Sequence, residues 1–196
     1  GELPLLEFAS LNQCHSIQGG GLKVLSQSFH LKNLSMQDCR SLEDEGLELL
    51  THLSALESIN LSGCRSLTTS PMISLGKRFN LKYLKISKCD KMVTDTSVVG
   101  LRFLQQLEDF NASFCFGLSS EGLEEFAMHR GRSMKLQSLN ISRCDVDDPT
   151  CLIHLKSLES LNMSGCKSVE SSRLCRALKE LPRLRKLDVS FIPGIL

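Results

Sequence analysis

The sequence predicts an α/β solenoid: about eight repeats wound into a right-handed horseshoe, with a parallel inner sheet and outer helices. Three observations predict it. A cysteine returns at the same point of the same apolar phrase seven times, at Cys14, Cys39, Cys64, Cys89, Cys115, Cys144 and Cys166. Each phrase alternates apolar and polar residues over a few positions, which is the period of a short strand. Each phrase is followed by leucines on one helical face, and no unit of this size can bury its apolar side alone.

The phrase is Leu-x-x-Leu-x-Leu-x-x-Cys with conservative swaps. Leu31, Leu34 and Met36 lead into Cys39, and Leu56, Ile59 and Leu61 into Cys64. Leu81, Leu84 and Ile86 lead into Cys89, and Leu107, Phe110 and Ala112 into Cys115. Leu136, Leu139 and Ile141 lead into Cys144, and Leu158, Leu161 and Met163 into Cys166. Leu6, Ala9 and Leu11 give an earlier copy, and Leu184, Leu187 and Val189 a last one, with Ile192 in the cysteine's place. A period in the twenties with this phrase is the leucine-rich repeat signature. Each unit touches mainly its neighbours, so residues 1–196 read as a single leucine-rich repeat domain. Terminal repeats normally need polar caps. Neither Leu3-Pro-Leu-Leu6 nor Phe191-Ile-Pro-Gly-Ile-Leu196 resembles one, so the chain is expected to be part of a longer protein.

The second half of each unit reads as a helix. In Ser41-Leu-Glu-Asp-Glu-Gly-Leu-Glu-Leu-Leu, Ser41 suits a cap and Glu43, Asp44 and Glu45 suit the positive end of a helix over 42–53. Leu47, Leu50 and Leu53 fall on one face, and Leu22 with Leu25, Leu123 with Phe126, and Leu152 with Leu155 repeat it. Gly19-Gly-Gly21 is expected to be a loose loop. The basic segment Met128-His-Arg-Gly-Arg-Ser-Met-Lys135 is expected to be a surface loop, and Asp147-Asp-Pro149 to start an abbreviated helix.

The cysteine spacing argues against disulfides. Cysteines one repeat apart occupy equivalent places on stacked units, where a free thiol packs as a small buried hydrophobe and a weak donor. A ladder of thiols donating to carbonyls of the adjacent unit is expected, with no C-x-x-C pair for zinc. Cys151 and Cys175 lie off the ladder and are expected to be buried in the helical halves. Five glycosylation-type triplets, at Asn33, Asn60, Asn111, Asn140 and Asn162, fall inside strands, where glycans would crowd the concave face. Both features point to an intracellular chain, cytoplasmic or nuclear.

Composition narrows the function. Lys and Arg number 23 against 22 Asp and Glu, a net charge of +1, and there is no tryptophan and one tyrosine. That is not the basic, aromatic surface of a nucleic-acid binder. No apolar run is long enough to span a membrane. No H-E-x-x-H, G-x-S-x-G or G-x-x-x-x-G-K motif occurs, and the five histidines are scattered, so no enzyme, cofactor or metal is expected.

Leu-Glu-Ser-Ile-Asn-Leu-Ser-Gly-Cys-Arg-Ser-Leu (56–67), preceded by Asp44-Glu-Gly-Leu-Glu-Leu-Leu50 and echoed at Ser120-Glu-Gly-Leu123 and Leu158–Cys166, resembles the cysteine-containing class of leucine-rich repeats. That class is best known from F-box proteins. The resemblance covers essentially the whole chain and implies a horseshoe whose concave face captures a substrate protein for ubiquitin transfer. It also implies Skp and cullin machinery recruited through an F-box, a segment not found in this sequence. The same class occurs in proteins without an F-box, so a structural scaffold or host–pathogen interaction protein is the alternative.

The residues between the strand leucines are expected to face the concave side. One column reads Ser10, Ser35, Asn60, Lys85, Asn111, Asn140, Asn162, Asp188, and the next Asn12, Gln37, Ser62, Ser87, Ser113, Ser142, Ser164, Ser190. Small polar residues suit a solvated, closely stacked sheet. The interruptions are the candidate site for a protein partner: Tyr83, Lys85, Lys88, Asp109, Phe114, Phe116 and Arg143, because aromatic and arginine side chains are the usual anchors of interfaces. Rim packing beneath the next loop is the competing expectation for Phe114 and Phe116. Arg40, Arg65, Lys91 and Lys167 add a basic rim beside Asp38, Asp90 and Asp145.

Overall fold

The computed structural model describes residues 3–50, 52–78, 80–128 and 135–195. Eight parallel strands form one open sheet in sequence order. They are β1 (Phe8–Ser10), β2 (Asn33–Ser35), β3 (Ser58–Asn60), β4 (Tyr83–Lys85), β5 (Asp109–Asn111), β6 (Ser138–Asn140), β7 (Ser160–Asn162) and β8 (Lys186–Asp188). The register never slips: Leu34, Ile59, Leu84, Phe110, Leu139, Leu161 and Leu187 pair strand to strand along the sheet. These middle residues, Leu187 excepted, are buried in the same core as the helix leucines. The first and third residues of each strand therefore lie on the opposite, open face, because strand side chains alternate.

The connecting halves carry α1 (Gly19–Leu22), α2 (Asp44–Glu48), α3 (Ser70–Arg78), α4 (Asp95–Val98), α5 (Ser120–Met128) and α6 (Ser171–Lys179). Tight 3₁₀ turns cover Leu25–Gln27, Val99–Phe103 and Thr150–His154. The helix expected over 42–53 is only five residues long. It is preceded by extended Glu43 with no side-chain cap, so Ser41 is not its cap. The leucines recur every third residue, and a spacing of three fits i→i−3 turns better than the 3.6-residue helix. Leu50 N–H donates to Leu47 at 3.0 Å, Leu53 to Leu50 at 3.1 Å and Leu56 to Leu53 at 3.1 Å. All four leucines are fully buried. The same staircase descends through Leu101, Leu104 and Leu107, and through Leu152, Leu155 and Leu158.

Other expectations need correction. Gly19, Gly20 and Gly21 form the first turn of α1 rather than a loose loop. Asp147-Asp-Pro149 does start a short helix, a single 3₁₀ stretch. Residues 129–134 of the basic segment lie outside the described residues. The acids of the first helical turns do more than cap. Asp44 accepts the Thr68 backbone N–H at 2.8 Å, and Asp95 accepts Ser119 N–H at 2.8 Å and its hydroxyl at 2.7 Å, so each ties its repeat to the next.

The cysteine ladder forms through six of its seven members. The thiols of Cys39, Cys64, Cys89, Cys115, Cys144 and Cys166 donate to the carbonyls of Leu11, Met36, Leu61, Ile86, Ala112 and Ile141 at 3.0–3.3 Å. Each acceptor belongs to the preceding repeat. Cys14 is the exception: it is exposed, because no described strand precedes β1 to cover it and offer a carbonyl. Cys151 is buried as expected, but Cys175 is exposed on α6, on the side away from Leu174 and Ala177.

Candidate functional site

The open face of the sheet is more committed to its own backbone than its polar composition suggests. Asn60, Asn111, Asn140, Asn162 and Asp188 each accept, through Oδ1, the backbone N–H two residues later at 2.9–3.0 Å. This Asx tie closes the turn that leaves the strand. In β4 the equivalent position is Lys85, which is exposed and has no oxygen to offer.

The turns after the strands share one further feature that sequence reasoning missed. The residue before each ladder position takes a left-handed backbone: Gln13, Asp38, Gly63, Lys88, Phe114, Arg143, Gly165 and Phe191, with φ between 58° and 77°. Glycine adopts this freely, and other residues at a cost of about 1 kcal/mol or more. The repeated Ser-Gly-Cys at Gly63 and Gly165 is the sequence signal for it.

Six of the seven predicted binding residues fall into two groups, and the seventh adjoins one of them. Tyr83 and Asp109 are register partners on β4 and β5, with Lys85 two residues along β4. Tyr83 is 42% exposed, and its hydroxyl donates to Glu108 Oε2 at 3.4 Å. Burial pushes the half-buried Asp109 carboxyl up, against the opposing pull of Lys85 and a hydrogen bond from Ser138. The second group is the left-handed column itself. Lys88 Nζ lies 5.4 Å from the centre of the Phe114 ring and Arg143 Cζ 5.3 Å from it. Between the groups run Ser87, Ser113 and Ser142, with Ser113 donating to Ser87 at 2.8 Å or the reverse. Phe116 is 64% exposed, so it is not packed beneath the next loop. It lines a groove of about 460 Å³ with Phe114, Arg143, Asp145, Gly165 and Lys167.

The edge where strands begin was also missed. Glu7, Lys32, Glu57, Lys82, Glu108, Gln137, Glu159 and Arg185 follow the first leucine of each phrase and nearly alternate in sign. Lys32 pairs with Glu7 at 3.2 Å and Lys82 with Glu57 at 2.9 Å. These exposed pairs contribute little to stability but leave that edge neutralised. Among the described residues no group of three or more His, Cys, Asp or Glu side chains could hold a metal, and no helix is long and apolar enough to cross a membrane.

Eight in-register parallel strands, short connecting helices and a ladder of buried cysteines define a leucine-rich repeat solenoid. The leucine rich repeat family pattern matches residues 27–50 and 132–149. Among solved structures, the chain is similar to internalin C2 of Listeria monocytogenes, with a TM-score of 0.59 and 21% identity, covering 97% of this chain and 77% of that one. It is also similar to the internalin inlF of the same organism, with a TM-score of 0.57 and 18% identity over 89% of this chain. The match spans 53% of that internalin's length. TLR13, solved in complex with the single-stranded RNA ssRNA13, matches with a TM-score of 0.56 and 18% identity, covering 90% of this chain and 27% of that one. At these identities the likeness is one of fold.

Proposed function

We propose that the chain is a non-catalytic protein-binding module whose partner docks on the open face of the sheet at repeats four to six. The observation that carries this reading is where the structural floor is interrupted. In five of the eight strands the third residue is an asparagine or aspartate spent on the backbone. At Lys85 the turn is untied, and beside it Tyr83, Asp109, Lys88, Phe114 and Arg143 bring large side chains together, the last three in left-handed turns. Large side chains gathered at one surface location, three of them in left-handed turns that Gly63 and Gly165 fill in other repeats, suit recognition better than folding. The buried free thiols of the ladder suit a reducing, intracellular setting.

The finer reading follows the resemblance: capture of a substrate protein for a ubiquitin ligase, with Skp and cullin subunits recruited through an F-box outside this sequence. The test is affinity purification from native cells with the wild-type protein and with the triple variant Tyr83→Ala/Asp109→Ala/Phe114→Ala. Partners held by the wild type and lost by a folded triple variant support the open-face reading. Full retention overturns it. Skp and cullin among the recovered proteins support the ligase role. A stoichiometric partner without them makes the protein a scaffold.

A further inference from the structure

We propose that the strand-exit rim between Lys88 and Lys167 seats an acidic, extended segment of a protein partner. Its carboxylates rest on Lys88, Arg143 and Lys167, and an apolar side chain enters the groove beside Phe116. The proposal rests on the protein-binding reading above and names the chemistry of the partner.

Charge is the first argument. The exposed rim carries Arg40, Arg65, Lys88, Lys91, Arg143 and Lys167 against Asp38, Asp90 and Asp145, in a chain whose whole net charge is +1. Asp90 is partly spent, because its Oδ1 accepts the Phe116 backbone N–H at 3.1 Å. On the opposite edge, Lys32 and Lys82 are matched by glutamates. Among the described residues, Lys88, Arg143 and Lys167 take part in no ion pair. A partner carboxylate therefore finds cations that need not leave another anion.

Orientation is the second. Phe114 draws Lys88 from the repeat before it and Arg143 from the repeat after it. The ring thus limits the freedom of two long side chains, which otherwise lose rotamer entropy on binding. Gly165 helps on the far side. A Cβ there would come within 2.9 Å of Arg143 Cγ, so the missing side chain lets the arginine stem lie across the next turn.

Spacing is the third. Neighbouring strands are about 4.8 Å apart, which puts Lys88 and Arg143 backbones roughly 10 Å apart across two steps. Three residues of a polyproline II chain, one full turn at about 3.1 Å each, span about 9 Å, close to the same distance. Acids at every third position of such a chain share one face and meet both cations, while an apolar residue on an adjoining face reaches Phe116.

The probe is a fluorescein-labelled peptide of about four Glu-Ser-Leu repeats, titrated with the purified chain and followed by anisotropy in about 50 mM salt, where such contacts are least screened. The expected result is saturable binding that weakens at least about tenfold in Arg143→Glu/Lys167→Glu, and that is unchanged by Arg185→Glu on the opposite edge. The matching Lys-Ser-Leu peptide should bind at least about tenfold more weakly. Lys88→Glu gives the same reading if the double variant does not fold. No binding of the acidic peptide, equal binding by the rim variants, or equal binding of the basic peptide overturns the proposal. If the native partner is lost by the triple variant yet kept by Arg143→Glu/Lys167→Glu, the acidic rim is overturned and the protein-binding reading stands. Retention by both variants overturns both.

Discussion

Arg143 holds its guanidinium carbon 5.3 Å from the centre of the Phe114 ring, across the boundary between two repeats. Both residues sit in left-handed turns, with φ of 58° and 59°. Two residues that each strain the backbone thus meet side by side, and Lys88, with φ of 60°, approaches the same ring from the other neighbour. A solenoid stacked for stability alone would place glycine or asparagine here.

That pair has a measurable energy. A double-mutant cycle of Phe114→Ala and Arg143→Ala, read by chemical denaturation, is expected to show a coupling of about 0.5–1 kcal/mol, as for a partly exposed cation–π contact. Additive single variants would mean that the ring does not hold the arginine.

Lys85 separates stability from recognition. Its neighbours Asn60 and Asn111 tie the Ser62 and Ser113 N–H groups at 3.0 Å, and Lys85 has no oxygen to do the same for Ser87. Lys85→Asn should restore the tie and raise stability by about 0.5–1.5 kcal/mol, the net worth of one hydrogen bond. The same change should weaken partner binding. Unfolding midpoints and partner affinity, measured on one variant, check both signs.

The strands are legible in the sequence because alternation has no competing interpretation once Leu34, Ile59 and Leu84 repeat in phase. Helix lengths are not. Leucines at 47, 50 and 53 satisfy a helical face and a staircase of 3₁₀ turns equally, and only the need to return to the sheet decides. Cys14 and Cys175 show a second limit. Their phrase or helix is regular, but burial depends on a neighbouring unit or face that the local pattern does not encode. The candidate site was legible as a break in the floor, since Tyr83, Asp109 and Phe114 depart from serine and asparagine. The left-handed turn that places Phe114 between two cations was marked only by Gly63 and Gly165 in other repeats. The alternating edge from Glu7 to Arg185 was visible at a fixed offset but carries no apolar signal.

Ser28 stands where other repeats place Leu53, Leu104, Leu155 and Leu181. It is fully buried, and its hydroxyl has no hydrogen-bond partner among the described residues. Its backbone still takes the staircase bond, to Leu25 at 2.9 Å. A buried hydroxyl without a partner costs about 1–3 kcal/mol. Ser28→Ala should therefore raise stability by about 1 kcal/mol or more, seen as a shifted denaturation midpoint with unchanged slope.

Thiol exposure makes a counting prediction. Of nine cysteines, Cys14 and Cys175 are exposed and seven are buried. A thiol reagent at pH 8 should modify two groups rapidly in the native protein and all nine after denaturation. Rapid reaction of a third thiol under native conditions would mean that the ladder opens locally.

Burial also gives the ladder a pH dependence with a definite sign. Desolvation pushes the thiols of Cys64, Cys89 and Cys115 up to about 12, partly opposed by backbone hydrogen bonds, while an unfolded cysteine titrates near 8.5. The folded state therefore holds these protons more tightly than the unfolded chain. Their contribution is complete below pH about 8.5, and it is lost as pH rises from there through about 12. Each thiol can cost up to about 1.4 kcal/mol per pH step within that window. Denaturation midpoints should fall steeply between pH about 9 and 11. The variant Cys64→Ala/Cys89→Ala/Cys115→Ala should be less stable at pH 7, having lost three donors and some buried volume, yet should show a shallower alkaline slope. An alkaline slope identical to the wild type's would show that other groups, not the ladder, carry it.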